Sequence, residues 1–208
     1  MRKRIAFIAA LAAVAVVALA AGAILTVGAG DALAHGNGGG GGNGGGGGCG
    51  GQGTACLPDT SVPLTAAEQD GLAFMREEEK LAHDLYAAFG EQYDLRVFAT
   101  IARAETRHTT AVKRWLDAFQ LTDPAAGNGP GVFTDPELAA LYTQLLGRGG
   151  QSLEQALRAG IAVEEKDIAD LQARIAESDR DDLDAMYGNL LRASRNHLRA
   201  FTRQLDRL

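Results

Sequence analysis

From about residue 64 to residue 208, apolar side chains return every three or four positions and never alternate one by one. That period belongs to amphipathic helices, and no strand pattern competes with it. Thr65 and Glu68 form a capping box at a helix start. Leu72, Met75, Glu79, Ala82, Tyr86 and Phe89 follow on one face, with Gly90 the expected end. A second helix is predicted over about 96–119, with Val97, Ile101, Ala104, His108, Val112, Trp115 and Phe119 in its stripe. Turn signals then accumulate: Asp123-Pro124, Gly127 to Pro130 and Asp135-Pro136, with a short helix from about Pro136 to Leu146. Ser152 caps a third long helix that runs to about Glu177, carrying Leu153, Leu157, Ile161, Ile168, Leu171 and Ile175. The Asp179–Asp182 cluster separates it from a fourth, with Leu183, Tyr187, Leu190, Ser194, His197, Phe201 and Leu205 inward.

Link lengths set the topology. Helices one and two are joined by a few residues, as are three and four, and short links make antiparallel neighbours. About thirty residues lie between two and three. The fold class expected is therefore all-α: an antiparallel four-helix bundle of two hairpins and one long crossover that carries a short extra helix, which is the ferritin-like arrangement.

The chain ahead of this domain reads differently. Arg2, Lys3 and Arg4 precede an apolar run from Ile5 to Leu25, and Ala32-Leu33-Ala34 has the spacing of a signal-peptidase site. Residues 1–34 are expected to be a signal peptide cut after Ala34, or an uncleaved N-terminal membrane anchor, since the run is long enough to span a bilayer. Either reading makes the protein secreted or otherwise extracytoplasmic. Residues 35–63 are expected to be a Gly-rich flexible linker, because Gly36 to Gly53 holds 14 Gly in 18 residues and such a stretch has no apolar area to bury. It lacks the Gly-Lys-Ser/Thr and the flanking strand and helix of a phosphate loop. Cys49 and Cys56 lie inside it, read as a local disulfide or as an intermolecular pair. The net charge of −6 argues against a nucleic-acid partner.

Polar residues inside the apolar stripes carry the functional signal. Glu79 sits in the first, Glu105 and His108 form an E-x-x-H pair in the second, Glu164 lies in the third and His197 in the fourth. A buried carboxylate without a partner costs several kcal/mol, and a bundle interior does not tolerate three of them uncompensated. Divalent cations remove that cost, and carboxylates with imidazoles suit iron or manganese. Taken singly, each has a plain reading: Glu77 and Glu78 as surface, His83 as a helix-edge residue, Tyr86 and Tyr187 as core packing, and the Arg195, Arg199, Arg203, Arg207 row as a solvated face paired with acidic surface. The coincidence of one inward ligand type at the middle of each helix points to a metal centre.

Residues 64–208 resemble the ferritin-like DUF2202 family of archaeal and bacterial proteins. The resemblance rests on Met75-Arg-Glu-Glu-Glu-Lys-Leu-Ala82 with Tyr86, Ala104-Glu-Thr-Arg-His108, Gly131-Val-Phe-Thr-Asp-Pro-Glu-Leu138, Glu164-Glu-Lys-Asp-Ile-Ala-Asp-Leu171 and Arg195-Asn-His-Leu-Arg-Ala-Phe201. It implies the four-helix fold and a di-iron-type centre with two iron or manganese ions. In the wider ferritin and rubrerythrin superfamily a first-helix Glu is followed by Ala three and Tyr seven positions on, a register that selects Glu79. That superfamily also has E-x-x-H on its fourth helix, where this chain has Ser194 three before His197. Asp167, three after Glu164, is the candidate replacement, and Glu165 a weaker one. Two functions follow: an oxidoreductase linked to O₂ or peroxide, or a non-enzymatic binding or scaffold module whose metal is structural or vestigial. Metal ions are the expected partners, and a homodimer is an allowed assembly.

Overall fold

A computed structural model describes residues 58–208; the leader, most of the linker, His35 and both cysteines lie outside the described residues. Five helices follow in order: α1 (Ala66–Tyr93), α2 (Arg96–Ala118), α3 (Pro136–Gly149), α4 (Leu153–Glu177) and α5 (Asp181–Leu205). There is no strand among the described residues. The described residues are all-α, and none of these helices is long and apolar enough to cross a membrane.

Each boundary has a local cause. Thr65 and Glu68 form the reciprocal capping box of α1. Asp135 accepts from the Glu137 and Leu138 amides ahead of Pro136, which opens α3. Ser152 accepts from the Gln155 amide at the start of α4. Gly90 does not end α1. The helix runs three residues further and stops at Asp94, which takes the left-handed conformation (φ 48°) and returns its amide to the Gly90 carbonyl. A Cβ at Gly90 would stand 3.5 Å from the Ala99 amide nitrogen of α2, an ordinary contact.

Cross-helix contacts fix the directions. Glu79 meets His108 and Phe89 meets Phe98, so α1 and α2 are antiparallel. Asp167 meets Ser194 and Gly160 meets Phe201, so α4 and α5 are antiparallel too. Glu78 with Lys166 and Tyr86 with Gly160 set α1 antiparallel to α4. Phe98 against Phe201 joins α2 to α5. The result is the two-hairpin, one-crossover bundle that the link lengths predict, with α3 packed on α1 and α4.

The apolar interior is split in two. One cluster holds Leu81, Leu85, Phe89, Phe98, Leu157 and Phe201, the other Leu72, Met75, Val112, Trp115, Leu171 and Leu190. On every long helix the same gap separates them, and the gap is where Glu79, Glu105, His108, Glu164, Asp167, Ser194 and His197 fall. A polar layer thus lies across the bundle between two oily ones.

Helix α1 is covered on more sides than its stripe suggests. Glu77 and Glu78, expected at the surface, are both 2% exposed. Glu77 accepts from the Thr134 and Asp135 amides at 2.6 and 2.8 Å, and Glu78 accepts from Lys166 at 2.8 Å. The crossover loop lies on the face of α1 that a free amphipathic helix would show to water. Arg76 with Asp123, and Lys80 with Asp84 and the Gly129 carbonyl, fasten the same loop. Near the other end, Arg180 donates to the Asp59 and Val62 carbonyls, so the last residues of the expected linker lie against the bundle.

Candidate metal centre

Four helices deliver the polar layer, and their side chains converge. Glu105 is the hinge of the arrangement. One of its oxygens, Oε2, lies 2.6 Å from His108 Nδ1, and the other, Oε1, lies 2.8 Å from His197 Nδ1. Glu79 Oε2 approaches the first imidazole at 3.2 Å, and Glu164 Oε1 the second at 3.7 Å. Two triads result, Glu79–Glu105–His108 and Glu105–Glu164–His197, each with its ligand-type atoms within 4.8 Å of one another. Helical spacing explains half of this: residues three apart present side chains to one point, so Glu105 reaches His108 on its own helix. The other half is tertiary, since His197 arrives from α5. The imidazole rings stack with centroids 5.5 Å apart.

All three glutamates are 2% exposed. The side chains of His108 and His197 keep 12% of their surface. Several ligand-type atoms here lack a hydrogen-bond partner: Glu79 Oε1, Glu105 Oε1 and His197 Nδ1. The last two are close without the angles that would let one donate to the other. Such a short contact is what two ligands of one ion show, because bonds of about 2.1 Å at a right angle put the ligand atoms about 3 Å apart. The donor set of carboxylate oxygens and imidazole nitrogens therefore fits a divalent transition metal.

Without metal, protons balance the charge. Burial would raise Glu105, but the close approach and positive charge of His108 and His197 outweigh it, and its carboxyl falls to about 2. Burial lowers His108, yet Glu79 and Glu105 pull it up to about 11. His197 is likewise opposed by burial and raised to about 9 by Glu105 and Glu164. Glu79 and Glu164 rise to about 7, chiefly through burial. The metal-free layer is thus one ionised carboxylate between two imidazolium rings, flanked by two carboxyls that titrate near neutrality.

Asp167 is buried on the α4 side, accepts from the Ser194 hydroxyl and leaves its Oδ1 without a partner. Burial and then the neighbouring Glu79, Glu78 and Glu164 hold its carboxyl well above the usual range. It lies against Ser194 but is in neither triad. Glu165 is exposed and takes no part, because it points off the opposite side of α4. Tyr86 donates to Glu164 Oε1 at 2.8 Å, which ties the aromatic core to the layer. Tyr187 lies elsewhere, beside Gly71 and Arg174. His83 pairs with Asp84 at 3.0 Å, away from the layer. The Glu78–Lys166 pair was not legible as part of this neighbourhood; the unbroken acidic run Glu77–Glu79 was its only trace.

Residues 68–208 match the family described as an uncharacterized protein domain, DUF2202. The chain belongs to the DUF2202 family. A relative, the uncharacterized protein MJ0754 of Methanocaldococcus jannaschii, is 41% identical over 144 residues, which is 69% of this chain and 78% of that one. The crystal structure of the hypothetical protein MJ0754 from Methanococcus jannaschii matches with a TM-score of 0.70 at 40% identity, covering 73% of this chain and 85% of the other. The DUF2202 match spans all five helices apart from the first two residues of α1, so the whole polar layer lies inside it.

Proposed function

We propose that this DUF2202 domain is an extracytoplasmic redox protein built round a carboxylate-bridged pair of iron or manganese ions. The observation that carries the reading is Glu105, buried, with one oxygen against each of two imidazoles from different helices. With both histidines neutral, such a carboxylate would help to hold a cation on each side. Glu79 and His108 would complete one position, Glu164 and His197 the other, with Asp167 as the candidate sixth group. The bound ions would supply one-electron redox chemistry toward O₂ or peroxide.

The chain's own residues do the rest. The two apolar clusters keep water from the layer above and below. Tyr86 orients Glu164 through its hydroxyl. Burial raises the Glu79 and Glu164 carboxyls to about 7 in the metal-free layer, so taking up ions would release their protons. Each position would have two side chains of its own and a share of Glu105, which leaves room for a small reactant. On this reading residues 1–34 export or anchor the domain and residues 35–63 tether it.

The test is anaerobic loading of the purified protein with Fe(II), followed by O₂. Retained iron that oxidises on contact with O₂ is the expected result. No retained iron overturns the proposal, and retained iron that stays ferrous reduces the centre to a binding role.

A further inference from the structure

The arginine row of α5, expected to pair with acidic surface, does not. Arg195, Arg199 and Arg203 are exposed and make no ion pair among the described residues. The same holds for Arg96, Arg103 and Arg107 on α2. Through their middle and C-terminal turns these two helices carry no exposed acidic residue until Asp117 and Asp206. A chain with a net charge of −6 therefore concentrates unpaired guanidinium groups on one side, where α2 and α5 lie together.

That side also holds a groove of about 440 Å³. It exists because the residues between the two helices are small: Ala104 and Thr100 on α2 and Ala200 on α5 leave room that larger side chains would fill. Val97 and Ile101 make its wall apolar, Arg96 and Arg107 stand in its lining, and His197 forms part of it. His197 is also the α5 member of the polar layer. The groove is thus an apolar trough with two free cations that reaches a side chain of the candidate centre.

We propose that this groove binds a small organic anion, an amphipathic carboxylate or sulfonate whose apolar body lies on Val97, Ile101 and Ala200 and whose charged head meets Arg96 and Arg107. The chemistry follows from the lining. Guanidinium groups match a carboxylate in charge and in planar geometry, and a trough of a few hundred Å³ with a few polar groups suits a small molecule. Two free cations at its edge disfavour a metal ion arriving by this path. That the anion serves as the reactant of the centre, delivered at His197, rests on the redox reading above; that it binds does not.

The probe is 2-naphthoate, with 1-naphthylmethylamine as the cationic counterpart of the same size. Calorimetry on the purified full chain, first with a chelator and then after Mn(II) loading, is expected to show one naphthoate site per chain and none for the amine. Replacing both groove arginines, Arg96→Gln with Arg107→Gln, should weaken binding by about tenfold or more, since each loses a charge-assisted hydrogen bond. Arg195→Gln with Arg199→Gln, which removes the same charge outside the groove, should change it less than about threefold. Ala200→Leu fills the trough without altering charge and should abolish binding, circular dichroism confirming the fold. Equal losses from the two arginine pairs mean diffuse attraction and overturn the proposal. So does a protein that ignores naphthoate but binds poly-glutamate, which would give the face to an acidic protein. Naphthoate binding in a protein that retains no metal upholds the groove and removes the redox reading; metal retention without naphthoate binding does the reverse.

Discussion

At the residue scale, everything turns on Glu105. Its two oxygens face His108 and His197, so a change there acts on both halves of the layer. Glu105→Gln keeps the shape and removes the negative charge. It should leave two imidazolium rings close together without their counter-ion, costing about 3–5 kcal/mol, as expected when one member of a buried ion pair is lost. Chemical denaturation of the metal-free variant checks this, and elemental analysis should find its metal content reduced to one ion or none. The pH dependence has a definite sign. His108 and His197 titrate at about 11 and about 9 instead of 6.5, so the stability they lend is full below 6.5 and lost as pH rises through those values. Glu79 and Glu164, raised from 4.5 to about 7, act in the same direction between those limits. Glu105, lowered to about 2, lends stability that is present above 4.5 and lost as pH falls toward 2. The thermal midpoint in chelator should therefore fall from pH 5 to pH 9, while the gain on adding Mn(II) grows, because metal displaces those protons. A rising midpoint in chelator contradicts the charge pattern. The five side chains of the two triads were legible because polar residues in apolar stripes stand out. Glu77 and Glu78 were not, because a stripe argument gives every helix one wet face and cannot see the loop that covers this one.

At the scale of elements, the crossover is part of what places the centre. Glu77 receives the Thr134 and Asp135 amides and so anchors α3 to α1 one residue before the Glu78–Lys166 pair and two before Glu79. Glu77→Ala takes the charged acceptor from two partly buried amide bonds and should cost about 1–3 kcal/mol, with faster proteolysis between residues 120 and 135 as the local readout. Two glycines give opposite predictions. A Cβ at Gly149 would stand 2.1 Å from the Phe89 ring, so Gly149→Ala should destabilise by about 1–3 kcal/mol. At Gly188, mid-helix in α5, nothing lies within 4 Å, and Gly188→Ala should stabilise by about 0.4–1 kcal/mol. Thermal unfolding of the pair separates close packing from plain helix propensity. Helix starts were readable from caps such as Thr65 and Ser152, which are local chemistry. The end of α1 was not, because Gly90 stays helical and the left-handed turn that stops the helix is made by Asp94.

At the scale of the whole molecule, the bundle is two apolar plugs with a polar layer between them, and no sequence-local rule specifies that division. It emerges because each helix places its polar residues at the same height once the hairpins close. Link lengths made the topology legible, and one inward ligand type per helix made the layer legible. Which oxygen faces which imidazole was not, since it depends on α5 meeting α2. Chelation of the loaded protein should lower its thermal midpoint, by an amount that follows metal concentration over affinity. The most direct measurement is anomalous diffraction at the iron edge from a crystal of the Fe(II)-loaded protein. Two peaks are predicted, one on each side of the Glu105 carboxylate, the first against Glu79 and His108 and the second against Glu164 and His197. A layer without a peak, or iron found only on side chains outside it, would contradict the account.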